Sequence, residues 1–312
     1  MLSYALTTMC VVLCAATQLP DYLQPLQPVW DNEAALTDAL RAWDKVQSGK
    51  IEDLLRAPAP GTPAADRTPE EAQAEAKALA KQVRDAYELA IATHPNSARL
   101  HNFYGELLYD RYNDIAGALK QWHEALSLDE KMSAVHNNLA LHNFHFGEYK
   151  TGLHHLDLAL KYEKNNPDYL YNMSNLYLVH SPQIASIRKW DESRVYKEAM
   201  KLSKRAVKAD PTDYDIVQDY AVNFFAAENY KLEADWKEAA SAWETARGIA
   251  RNEDEQFYCW LNEGRVWLRA KQPERAIPCL EQALRLRPES APARQMLDAI
   301  KDPEADDTAK PE

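Results

Sequence analysis

Alanines recur along this chain at nearly one interval, and that recurrence limits its fold more than any single motif does. Ala90, Ala125, Ala159, Ala206, Ala246 and Ala283 are spaced 35, 34, 47, 40 and 37 residues apart. From about residue 70 to 301 the apolar positions follow helical spacing with almost no alternation of period two. A unit of about 34 residues that repeats with insertions describes a stacked array. Composition agrees: 8 Gly against 8 Trp and 16 Tyr leaves few residues for turn-rich β-sandwiches or phosphate-cradling glycine loops.

The last unit shows the internal pattern most clearly. Trp260, Gly264, Trp267, Ala276, Leu280, Ala283 and Pro288 fall at positions 4, 8, 11, 20, 24, 27 and 32 of a unit that starts at Phe257. The first three share one face of a helix, and 20, 24 and 27 share one face of the next. Small residues at 8, 20 and 27 let the two backbones approach. Earlier units carry the same marks in Tyr104, Gly105, Leu108, Ala118 and Trp122; in Leu139, Ala140, Gly152 and Leu156; in Met173, Ser174, Tyr177 and Ala199; and in Tyr220, Ala221, Phe224, Ala239 and Trp243.

From Ala98 to Ser290 these marks resemble the tetratricopeptide repeat family, with a half-match before them. Glu130 and Lys164 replace the terminal Pro, Asn143 takes an aromatic position and Glu263 takes the usual Leu site. The resemblance implies an all-α, right-handed α-solenoid of stacked helix-turn-helix repeats closed by a capping helix. Its units are expected at about 98–132, 133–166, 167–213, 214–253 and 257–290, with a cap at 291–301. A degenerate first unit is expected from Glu70–Thr93, paired with Asn32–Val46 inside an N-terminal segment, 17–69, that ends in the Pro/Ala linker Ala57–Pro69. The acidic, proline-broken stretch 302–312 reads as a disordered tail.

Residues 2–16 are the only long apolar run without charge, short for a spanning helix but suited to a secretory signal cut after Ala16. That predicts export, periplasmic or secreted; an uncleaved segment would leave the protein membrane-anchored, and a leader without that role would leave it cytoplasmic. Export would remove Cys10 and Cys14, leaving Cys259 and Cys279, read as free buried thiols.

Chemistry is not written into the chain. The sequence has no P-loop, dinucleotide fingerprint, G-x-S-x-G or H-E-x-x-H. The nine His include His142, His145 and the pair His154-His155, but no spacing matches a metal-ligand box. A net charge of −12 argues against a nucleic-acid binder. The expectation is therefore a non-enzymatic protein with no cofactor or metal, and no small-molecule ligand is indicated.

In the family, first helices line a concave groove, and in some members an Asn ladder there holds a peptide backbone, a job for an amide that both donates and accepts. By position, Asn102, Asn137, Asn138, Asn172 and Asn262 are candidates for such a ladder. Tyr109, Phe144, Tyr171, Leu178 and Phe225 are candidate apolar anchors, and Arg265 and Arg269 give the groove a basic end. The Lys/Arg set of chaperone-binding members is missing. The insertions around Ser181–Arg194 and Glu228–Asp235 suggest a binding edge built from Arg188, Lys189, Trp190 and Tyr230, with packing of Trp190 and Tyr230 on each other as the competing reading. The function expected is a scaffold for a partner protein or extended peptide; a membrane-tethered assembly subunit, a structural spacer or the docking arm of an enzyme complex are the alternatives.

Overall fold

The computed structural model of the protein describes residues 19–56 and 67–301. The apolar N-terminal segment, most of the linker and the acidic tail lie outside the described residues. Every regular element among the described residues is helical, and the helices pack in consecutive pairs. The chain divides into two compact units, residues 1–135 and 136–312.

In the first unit a 3₁₀ segment, Asp21–Val29, leads into α1 (Glu33–Leu55), which packs on α2 (Pro69–Thr93). α2 starts from a complete capping box, in which Thr68 and Glu71 satisfy each other's backbone N–H. Leu36, Leu40, Val83, Ala86, Tyr87 and Ala90 close the α1–α2 core. Asp44 of α1 is buried there, accepting hydrogen bonds from Tyr87 (3.2 Å), Ser48 (3.1 Å) and Arg111. Next come α3 (Ala98–Tyr112) and α4 (Ile115–Leu128), paired through Gly105, where a Cβ would lie 2.5 Å from the Trp122 indole nitrogen. The degenerate first unit pairs α1 with α2, and α1 runs nine residues past the expected Val46.

α5 (Ser133–His145) spans the division and is followed by α6 (Tyr149–Tyr162). The third repeat holds three helices: α7 (Pro167–Val179), the inserted α8 (Ser181–Arg188) and α9 (Glu192–Ala209). Buried Ile184 and Ala185 bind α8 into the core formed by α5, α7 and α9, so this insertion is structural as well as exposed. The fourth holds α10 (Tyr214–Asn223), a 3₁₀ segment Phe224–Tyr230, and α11 (Trp236–Gly248). α12 (Glu253–Arg269) and α13 (Pro273–Leu286) form the last repeat, and α14 (Ala291–Lys301) covers its open face with Ala293 and Leu297.

One left-handed residue precedes the second helix of each full repeat: Asn113, Gly147, Lys189, Lys231 and Lys271. The turns between repeats instead use side-chain caps, with Ser97, Asn166, Asp213 and Asn252 each accepting backbone N–H bonds at the start of the next first helix. Local chemistry therefore punctuates every helix, and apolar burial between pairs holds the array together.

Candidate functional site

In the second unit the first helices α5, α7, α10 and α12 carry stripes of half-buried and exposed side chains at helical spacing. They are Asn138 and Leu141 on α5; Tyr171, Asn175 and Leu178 on α7; Asp219 and Val222 on α10; and Tyr258 and Arg265 on α12. A seam of polar and aromatic contacts joins one first helix to the next. Asn172 donates to the Asn137 amide oxygen at 3.0 Å, tying α7 to α5. Asp219 accepts hydrogen bonds from Asn175 and from Asn223 (3.4 Å), while burial pushes its carboxyl above the usual range. Burial also raises the Tyr171 hydroxyl, with Asp219 adding to the shift. Further along, the Arg265 guanidinium lies 4.8 Å from the Phe225 ring centre, and Arg269 pairs with Glu228.

Most of the expected amide ladder is used internally. Asn262 is buried, donates to the Tyr258 carbonyl (2.8 Å) and accepts from Arg265 (2.8 Å). Asn137 is 8% exposed with its oxygen facing Asn172, and in the first unit Asn102 is 1% exposed and donates to Glu106 (2.9 Å). Three of the five candidate amides are thus buried and bonded within the fold, which corrects their reading as groove contacts. Asn138 and Asn172 remain half-buried.

The apolar anchors divide in the same way. Phe144 is a correction, because it is buried in the α5–α9 core and its ring edge occupies the space over Gly152. Tyr109, in the first unit, is half-buried against Trp122 with ring centres 5.4 Å apart. Tyr171, Leu178 and Phe225 keep part of their surface open, although each also packs on a core cluster. Phe225 sits in the 3₁₀ segment and not in the first helix itself.

The edge residues are corrected in part. Arg188 does not await an acidic partner: it bonds Asp157 at 2.5 Å and the Tyr177 hydroxyl at 3.2 Å. Lys189 is the exposed left-handed residue that ends α8. Trp190 packs edge-on against Tyr177 and beneath Arg194, whereas Tyr230 stacks on Tyr196 and donates to the Leu178 carbonyl (3.4 Å). Each ring anchors its insert to the helices of the third repeat.

His136 and His155 face each other through Nδ1 at 2.9 Å, and no group of three His, Cys, Asp or Glu able to hold a metal occurs among the described residues. Cys259 and Cys279 are free and buried, and burial pushes their thiols up to about 11 and about 12. Sequence reading missed the partner of Glu263. Its carboxyl, 8% exposed and raised by burial, meets Arg247 at 3.3 Å, while the Arg247 guanidinium lies 3.7 Å from the Trp260 ring centre. The only signal for it was the acidic residue at a Leu site. Among the described residues no helix is long and apolar enough to cross a membrane.

The family model of the tetratricopeptide repeat matches residues 257–290. No curated protein matches the sequence. Among solved structures the chain is similar to YrrB, a protein described as having an unusual peptide-binding site, at 19% identity over 68% of this chain and 97% of that one, TM-score 0.50. It is also similar to the C-terminal part of a repeat-containing protein from Cytophaga hutchinsonii, at 13% identity over 88% of this chain and 99% of that one, TM-score 0.52.

Proposed function

We propose that this chain, a tetratricopeptide-repeat protein by its matched last unit and by its fold, is a non-catalytic scaffold that holds an extended segment of a partner protein along its first helices. The observation that carries the reading is the seam on α7, α10 and α12. On α7, Tyr171 and Leu178 stay partly open on the same helix as the half-buried amides Asn172 and Asn175, and Phe225 stays partly open beside Arg265 of α12. Apolar anchors next to groups that both donate and accept suit a polypeptide, whose backbone offers N–H and C=O at every residue. The peptide-binding site of YrrB, a protein of the same fold, adds support.

The acid-to-base order along the seam, from Asp215 and Asp219 to Arg265, favours a ligand whose acidic end lies toward α12. Arg269 and Asp215 add less to that field, because Glu228 pairs with Arg269 and Arg251 pairs with Asp215 at 3.1 Å. Export to the periplasm or beyond is part of the proposal, supported by the charge-free apolar run 2–16 and the small residues at Cys14-Ala15-Ala16. N-terminal sequencing of native protein tests this part: a start at Thr17 supports export, and an intact Met1 on soluble cytosolic protein ends it.

The groove is tested by affinity capture from the native source with mass spectrometry, run in parallel with an Asn138→Ala/Asn172→Ala variant. A partner held along the seam binds the variant about tenfold more weakly per folded molecule, whatever local stability is lost with the Asn172–Asn137 hydrogen bond. Equal affinity per folded molecule, with a lowered midpoint, assigns these amides to packing and refutes the reading.

A further inference from the structure

Both insertions meet at one place, and a slot opens there. α9 is 18 residues long, against 14 in each of α4, α6 and α13, and the extra turn at its N-terminus carries Arg194 and Val195. The insertion of the fourth repeat folds back on that turn, with Tyr230 stacked on Tyr196 at 5.0 Å. Lys231, left-handed at φ 55°, then reverses the chain, and residues 232–235 run into α11 as an opposing wall. Between the walls lies an open cleft of about 370 Å³, lined by Tyr196, Met200, Tyr220, Phe224 and Ala234. That volume suits one large side chain of a ligand.

The rim has a marked charge pattern. Arg194, Lys197, Lys201 and Lys204 fall on one exposed stripe of α9, which Lys208 continues, in a chain whose net charge is −12. Arg194 to Lys208 spans about 20 Å at the helical rise. Of the three carboxylates on the opposing wall, Glu233 is exposed and Glu238 and Asp235 are already engaged. Glu238 accepts from Tyr220 (2.6 Å) and Lys204 (2.5 Å), and Asp235 caps α11 through the N–H groups of Lys237 and Glu238. Lys201 and Lys204 reach Glu198 and Glu238 but keep 68% and 65% of their side chains exposed, so these pairs contribute little and yield readily. Arg194 lies 4.5 Å over the Trp190 ring, and with Lys197 it acts on the nearby Asp191 carboxylate, while Lys208 is exposed.

We infer that this slot and the stripe on α9 form a second docking surface, which takes an acidic segment of a partner protein bearing one aromatic side chain. The aromatic ring enters the cleft against Tyr196 and Phe224, where ring edges and faces give directional packing. The flanking carboxylates lie along Arg194, Lys197 and Lys201. This surface is distinct from the seam on the first helices and stands or falls without it.

The probe is a fluorescein-labelled acidic heptapeptide of Glu and Asp with one central Trp, titrated into the full chain by fluorescence anisotropy. Saturable binding is expected. It should weaken about tenfold on Lys197→Glu with Lys201→Glu, by rim electrostatics, and about tenfold again when the probe Trp becomes Ala. Ala234→Trp fills the slot without altering charge and should match the Ala probe, whereas Asn172→Ala on the seam should change nothing. Circular dichroism confirms that each variant keeps its helices. Failure to saturate, equal binding by the charge-reversed variant, equal binding of the Ala probe, or equal binding of a Lys-for-Glu probe overturns the inference. Sedimentation with phosphatidylserine vesicles that needs the same lysines, with no peptide binding, assigns the stripe to a lipid surface and overturns it too.

Discussion

Gly264→Ala and Gly49→Ala are the same chemical change and should have opposite signs. A Cβ on Gly264 would lie 2.8 Å from Leu280 Cδ2 and 2.9 Å from its Cγ. Leu280 is fully buried among Leu261, Ala276 and Trp267, so any shift it makes is against packed neighbours. Forcing the helices apart costs about 1–3 kcal/mol, and the better helix propensity of Ala returns only about 1 kcal/mol. The expected net loss is about 1 kcal/mol. Gly49 lies inside α1 with nothing within 4 Å of its added Cβ, so there the propensity gain of about 0.5–1 kcal/mol stands alone. Hydrogen exchange with peptide-level readout is the assay, because a repeat array loses stability locally and a single midpoint averages it away. Protection across Phe257–Ile300 should fall about fivefold in Gly264→Ala, while α1 gains in Gly49→Ala. Unchanged or higher protection in α12–α14 of Gly264→Ala would refute the close-approach argument.

Three further outcomes follow from buried polar groups. Burial holds His142 and His180 below the ordinary 6.5, and His145 adds to the shift at His142. The folded state therefore keeps them neutral where the unfolded chain takes up protons, so their stabilisation is present at pH 7.5 and is lost as pH falls below 6.5. Protection in α5 and α7, corrected for intrinsic exchange, should drop between pH 7.5 and 5.5; a flat profile contradicts this. Asp44→Ala leaves the Tyr87 hydroxyl without its acceptor and should cost about 1–3 kcal/mol, seen as faster exchange in α1 and α2. Cys259 and Cys279 should alkylate with iodoacetamide about a hundredfold more slowly in the native protein at pH 8 than after denaturation, and equal rates would place these thiols at the surface.

Residue patterns alone determined the helical pairing in this protein. A close-approach glycine at 105 or 264, a capping Ser, Asn or Asp before a helix, and an apolar stripe at the spacing of Ala276, Leu280 and Ala283 are local marks. The turns and faces they specify are settled within a dozen residues. The groups that remain open for a partner were not legible in this way. Asn137 and Asn172 occupy neighbouring positions of their repeats, yet one is buried as the acceptor of the other across 35 residues of sequence. Position 12 turns Phe144 inward over Gly152, while Phe225 stays partly open because its helix has already tightened into a 3₁₀ turn. The extra residues of two repeats could be counted from spacing. That they make a helix, a stacked tyrosine pair and a slot beside a basic stripe was decided by Tyr196 meeting Tyr230, 34 residues away in the chain. Local periodicity sets which face of a helix is apolar, but burial of a particular polar atom depends on which neighbouring repeat supplies its partner, and that is a property of the packed chain.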